Sequence, residues 1–200
     1  MLLPSIKSRP VYGTLAPRAG TAHLLVADAD GAEAILDLAK VASRDFFETA
    51  QIFYVPGRAA GRNFETRLTA LRPFAYNAAP SIAAMLPRLS QTLSTARMGL
   101  QVYLAGTESL IGQAMKVAID HGIHHDSIIA EHRGSTARRV QCVHCKGVTE
   151  EVKTQPVICS HCGLLLLVRD HYSRRIAAFQ GVCIDAEQPG SAPAIRETFP

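Results

Sequence analysis

Two cysteine pairs, Cys142-Val-His-Cys145 and Cys159-Ser-His-Cys162, stand 13 residues apart. Two residues between thiols let one tight turn aim both sulfurs at a single ion. Two such turns on neighbouring hairpins complete a tetrahedron with sulfurs about 2.3 Å from zinc. Gly147 and Gly163 lie one or two residues past each second cysteine, where a metal knuckle commonly needs positive φ. The pattern points to a zinc ribbon with Cys142, Cys145, Cys159 and Cys162 as the metal ligands. Such a metal can do one of three things. It can fold a β unit that has too little core to stand alone. Iron in the same cage can pass one electron, as in rubredoxin. The thiols can also serve as a redox dithiol. Four thiolates leave no open coordination position, which argues against Lewis-acid catalysis by this metal.

Other reactive residues are less ordered in sequence. His144 and His161 hold equivalent places in the two knuckles, and a complete set of four cysteines makes them unnecessary as ligands. His121, His124, His125, Asp126 and His132 cluster in sequence, as a site or as a solvated helix end. Arg169, Asp170, His171, Arg174 and Arg175 form a charged stretch, to grip an anionic partner or to solvate a hairpin tip. Cys183 stands alone and reads as a small buried hydrophobe. No GxSxG and no Gly-rich phosphate loop occurs, so no catalytic residue is assigned.

The elements that must position the cysteines follow from periodicity. Ala22 to Ala27, Gln51 to Val55 and Leu100 to Leu104 are short apolar runs readable as buried strands. Gly31 to Ala42 and Glu108 to His121 carry helix-spaced apolar stripes, the first capped by Asp28 or Asp30, the second closed by Gly122. Ser81 caps a third helical pattern that Pro87 would kink or start afresh, and Arg58 to Phe74 is unclear. Ile128 to Ala130 is a last short strand. Strands alternating with helices imply an α/β fold, a small parallel sheet with flanking helices. The β ribbon follows, with strands at Arg139 to Gln141, Val148 to Val152, Leu164 to Val168 and Ile176 to Phe179. The expected organisation is a lead-in over 1–20, an α/β domain over 21–138, a four-cysteine ribbon over 139–185 and a tail over 186–200.

Composition bounds the rest. The 200 residues are 48% hydrophobic and 19% charged, which excludes a disordered chain. The formal charge is +4. Four thiolates around a divalent ion would lower it to about +2, too little for a polyphosphate binder. Between Val140 and Ile184 the cations Lys146, Lys153, Arg169, Arg174 and Arg175 face Glu150, Glu151 and Asp170, with only Tyr172 and Phe179 for stacking. A nucleic-acid-binding ribbon is therefore the weaker alternative, and no nucleic-acid partner is expected. No run approaches the roughly 18 apolar residues of a membrane span, and the N-terminal residues form no signal-peptide core. A cytoplasmic protein without a membrane partner is the expectation.

The run from Arg138-Arg139-Val140 through both cysteine pairs to LLLLVRDHYSRRIAAFQGV resembles the small DmmA-type subunit of bacterial dimethylamine monooxygenase. ValAlaAspAlaAspGlyAla, PheTyrValProGly and Leu104-Ala105-Gly106-Thr107-Glu108 are similar to the same family. The resemblance implies an accessory subunit of a multisubunit enzyme that uses NADPH and O2 to convert dimethylamine to methylamine and formaldehyde. It implies a haem subunit and a flavin and iron-sulfur reductase subunit as partners, which carry haem, FMN, a [2Fe-2S] centre and the NADPH site. More remotely, the N-terminal domain is similar to the NAD-binding domain of ferredoxin reductases, in a degenerate form. Its first turn reads AspAlaAspGlyAla, with two carboxylates where phosphate should approach, and the later turn AlaGlyThrGlu lacks the family's Cys-Gly-Pro. Zinc, with iron as alternative, is the metal expected on this chain.

Overall fold

A computed structural model describes residues 9–57 and 64–200. The unclear sequence at 58–63 and the first eight residues lie outside the described residues. The described residues divide into two compact units, one within Tyr12–Gly134 and a second formed by residues 9–11 with Ser135–Pro200.

In the first unit, β1 (Ala22–Asp28), β2 (Ala50–Val55), β3 (Ala75–Ala78), β4 (Leu100–Gly106) and β5 (Ile128–His132) form one sheet in the order β3-β2-β1-β4-β5. Every pairing is parallel. That order belongs to dinucleotide-binding α/β folds, whose ligand crevice opens between β1 and β4 at the strand C-termini. Alternation along the strands builds two cores. Leu25, Ala27, Ile52, Tyr54, Tyr103 and Ala105 pack against α1 (Gly31–Val41) and α2 (Phe64–Thr69). Leu24, Val26, Phe53, Val55, Val102 and Leu104 pack against α3 (Ile82–Ser94) and α4 (Glu108–Asp120). Continuous apolar strands are the sequence signature of a sheet covered on both faces.

Three local expectations need correction. Between Pro73 and Pro80, where the sequence reading above places no element, the chain forms β3, an edge strand whose residues are only partly covered, so it lacks an apolar run. Pro87 does not restart α3, which runs as one helix from Ser81, whose Oγ accepts from the Ala84 N–H at 3.2 Å. The carbonyl that Pro87 leaves without a helical donor belongs to exposed Ala83, while Met85, Leu89 and Leu93 bury the opposite stripe. Asp30 is the cap residue of α1, yet its side chain makes no capping hydrogen bond.

The second unit is a five-stranded sheet in the order β7-β6-β11-β10-β9. It comprises β6 (Arg138–Cys142), β7 (Val148–Val152), β9 (Val157–Ile158), β10 (Leu165–Ser173) and β11 (Ala178–Cys183). The strand expected over Ile176 to Phe179 therefore begins two residues later and extends to Cys183. The short β8 (Thr154–Gln155) pairs with β12 (Arg196–Glu197), so the C-terminal segment returns to this unit. Its core is Val140, Val152, Leu166, Val168, Phe179 and Phe199 around Cys142 and Cys159.

Candidate metal centre

Each cysteine pair folds into the same knuckle. The Cys142 N–H donates to the Gly147 carbonyl and the Lys146 N–H to the Cys142 carbonyl, both at 2.9 Å. In the second knuckle the Cys159 N–H donates to Leu164 at 2.9 Å and the Gly163 N–H to Cys159 at 3.0 Å. The structural counterpart of Gly163 is thus Lys146 rather than Gly147: φ is +75° at Gly163 and +63° at Lys146. A lysine held there costs about 1 kcal/mol that a glycine avoids. Gly147 is needed for a different reason. A Cβ at that position would lie 2.4 Å from the His161 ring. His161 Nε2 is 3.0 Å from the Val148 carbonyl oxygen, so the histidine of the second knuckle lies across the first. His144 is exposed.

The four thiols are free, two of them buried and two half-buried. Cys142 Sγ lies 3.9 Å from Cys162 Sγ, and Cys145 Sγ lies 3.7 Å from Cys159 Sγ. All four sulfurs are within 4.8 Å of one another. Sulfurs at about 2.3 Å from one ion sit about 3.8 Å apart in a regular tetrahedron. The cage therefore has the size and donor set of a four-thiolate site and could hold a metal ion.

Its electrostatics favour partial ionisation. Burial opposes the Cys159 thiolate, but the N–H groups of Cys162 and His161, with the Cys162 and Cys145 thiols, hold it down to about 6. The Leu164 N–H favours ionisation of Cys162, yet burial and the neighbouring thiols push that group up to about 12. The Gly147 N–H donates to Cys145 Sγ at 3.4 Å. A metal replaces the protons that these thiols share, so its binding releases them.

In the same unit, the guanidinium of buried Arg138 lies 4.1 Å from the centre of the Phe179 ring and 4.1 Å from that of Phe199. Arg138 pairs with Asp170 at 3.0 Å, and Arg9 reaches the same carboxylate. Arg9, then Arg138, holds Asp170 below the usual carboxylate range. Sequence reasoning missed this clamp, because its members come from Arg9, β6, β10, β11 and the C-terminus. Cys183 is half-buried, with its thiol 3.4 Å from Asp185 Oδ1. It is not a core residue.

In the α/β unit the histidines do not converge. His121 Nε2 meets Ser90 Oγ at 2.7 Å, His124 faces Asp126 at 3.4 Å, and His132 stacks on Tyr12. The crevice between β1 and β4 is occupied by protein. Asp28 Oδ1 accepts from the Thr107 N–H at 2.8 Å, and Oδ2 accepts from the Thr107 hydroxyl at 2.6 Å. A Cβ at Gly106 would fall 1.8 Å from Asp28 Oδ1, and one at Gly31 would fall 2.2 Å from the Ala105 carbonyl oxygen. Tyr54, whose hydroxyl donates to the Ala29 carbonyl, is pushed up to about 12 by burial and by the charges of Asp28, Glu65 and Asp30. Among the described residues, this crevice does not fit a dinucleotide.

The comparisons with known proteins agree across both units. The model of the dimethylamine monooxygenase subunit DmmA-like N-terminal domain matches residues 4–128. That of the corresponding C-terminal domain matches residues 139–182. A relative from Ectopseudomonas mendocina (strain ymp), described as heme-dependent oxidative N-demethylase delta subunit, is 37% identical over 110 residues. The alignment covers 55% of this chain and 63% of that relative. Among the described residues, no helix is long and apolar enough to cross a membrane.

Proposed function

The chain belongs to the dimethylamine monooxygenase subunit DmmA-like family, and from that premise we propose that it is an accessory subunit of an oxidative N-demethylase acting on dimethylamine. The observation that carries this reading is the pairing of the family match with an α/β unit whose ligand crevice is closed by Asp28 and Thr107. A subunit built on such a fold is suited to docking rather than to hydride transfer. The haem, flavin and iron-sulfur chemistry, and the NADPH site, then belong to partner subunits.

Cys142, Cys145, Cys159 and Cys162 are proposed to hold zinc as a structural ion. When bound, zinc supplies four cross-links to a sheet whose core is small. The chain's own residues do the rest: Lys146 and Gly163 turn the knuckles, the Gly147 N–H orients Cys145, and His161 braces one knuckle against the other. The domain organisation given above, lead-in, α/β domain, ribbon and tail, is part of the same proposal.

Co-expression with the haem and reductase subunits tests the assignment. The expected result is co-elution with them, NADPH-driven formaldehyde release by the complex, and none by this chain alone. Demethylation by the isolated chain, or failure to associate, overturns it. Metal analysis is expected to give about one zinc per chain in a colourless preparation, whereas a coloured iron tetrathiolate sinks the structural-zinc assignment.

A further inference from the structure

The ribbon sheet carries a second polar feature that the metal cage does not use. A cavity of about 500 Å³ opens beside the first knuckle, lined by Gln141, Lys146, His171, Ser173, Arg175 and Gln180. These residues come from β6, the knuckle, β10, the turn after it and β11. No carboxylate lines the cavity. The ion pairs of this unit among the described residues are Arg9 and Arg138 with Asp170, and Arg139 with Glu150. Lys146, His171 and Arg175 thus lack an acidic partner there. Lys146 is positioned by its Nζ donating to the Val143 carbonyl at 2.6 Å, and Gln141 by its side-chain N–H donating to the Lys146 carbonyl at 3.3 Å. Lys146 and Arg175 place two positive charges on one concavity with no carboxylate among its lining, and the field they share favours an anion there.

We propose that this cavity binds the phosphate group of a small molecule. Two carboxamides and a hydroxyl beside the basic groups supply many donors over a small area, which suits tetrahedral phosphate oxygens better than separate carboxylates of a peptide. The volume matches a small-molecule site, and Val143, Ile176 and Ala178 give the carbon portion an apolar wall. The site lies on the ribbon and is independent of the demethylase assignment and of the closed β1 to β4 crevice.

The test uses the full, metal-loaded chain with inorganic pyrophosphate, adenosine 5′-monophosphate and a glutamate-rich peptide as probes, read by calorimetry and amide chemical shifts. Shifts at Gln141 and Gln180 on adding pyrophosphate or the monophosphate support the site. Pyrophosphate alone indicates an inorganic ion, and the nucleotide indicates an ester. Arg175→Ala with His171→Gln is expected to weaken binding about tenfold or more, the loss of a charge-assisted hydrogen bond. Lys146→Gly, which keeps the positive φ of the knuckle, is expected to weaken it several-fold. Arg174→Ala, next door but outside the cavity, is expected to leave it unchanged. Equal effects of Arg174→Ala and of Arg175→Ala combined with His171→Gln, binding of the peptide without the phosphates, or no binding at all would overturn the proposal.

Discussion

At the scale of residues, the strongest interactions lie away from the cysteines. Arg138 is buried with its charge between two aromatic faces and against Asp170. Removing it leaves that carboxylate without one of its two cations and opens a gap between Phe179 and Phe199. Arg138→Ala is expected to destabilise the ribbon unit by about 2–4 kcal/mol, with Arg138→Lys recovering part of the loss, measured by chemical denaturation followed by circular dichroism. His23 gives a pH signature in the other unit. Buried, stacked on Phe46 at 4.0 Å and 3.4 Å from the Tyr103 hydroxyl, it has its pKa lowered from 6.5 by desolvation. Below pH 6.5 the unfolded chain takes up a proton that the folded chain resists. Stability is therefore full above that value and falls as pH drops toward the lower folded pKa. Melting the wild type and His23→Leu between about pH 7.5 and about pH 5.5, one unit either side of the free-histidine pKa, should show a decline in the first and a flatter profile in the second.

At the scale of elements, the two knuckles show how a repeated motif can be built from unlike residues. Their hydrogen bonds coincide one for one, yet the left-handed position is glycine in one and lysine in the other. The C-terminal strand shows the converse, an element with almost no signal in its own sequence. β12 is two exposed residues, and it forms because Thr154 and Gln155 offer it a partner and because Phe199 fills the space over Arg138. Phe199→Ala is expected to cost about 3–5 kcal/mol of ribbon stability, the range of a buried aromatic truncation. It should also raise proteolysis of the last residues. An unchanged denaturation midpoint would show that the C-terminal segment is not part of this core.

At the scale of the whole chain, each unit has its own core, and among the described residues the four-cysteine cage lies in the second. Chelation, or Cys159→Ser, is therefore expected to melt the β signal of residues 135–200 while the helical signal of the α/β unit persists. Thermal scans by circular dichroism at a helix-dominated and at a β-dominated wavelength, with and without chelator, would separate the two. A single shared transition in both conditions would show that the units fold as one. On the function proposed above, partner subunits enter at this scale, and the exposed apolar side chains Phe74 and Met98 lie on the α/β unit.

Much of this was legible without coordinates. Cys142, Cys145, Cys159 and Cys162 announce a common centre through spacing alone, because a two-residue gap constrains a tight turn locally. The strands β1, β2 and β4 and the helices α1 and α4 follow from periodicity, because burial on both faces or on one stripe is written into consecutive residues. Edge strand β3 was not legible, since a half-covered strand needs no apolar run. The tertiary structure alone decided which distant residues meet. Asp28 and Thr107, 79 positions apart, close the crevice. Arg138 finds Phe199, and Lys146 joins His171 and Arg175 around one cavity. Those encounters depend on strand order and register, which bring together residues that share no local pattern. A cysteine turn needs only its own few residues to be recognised.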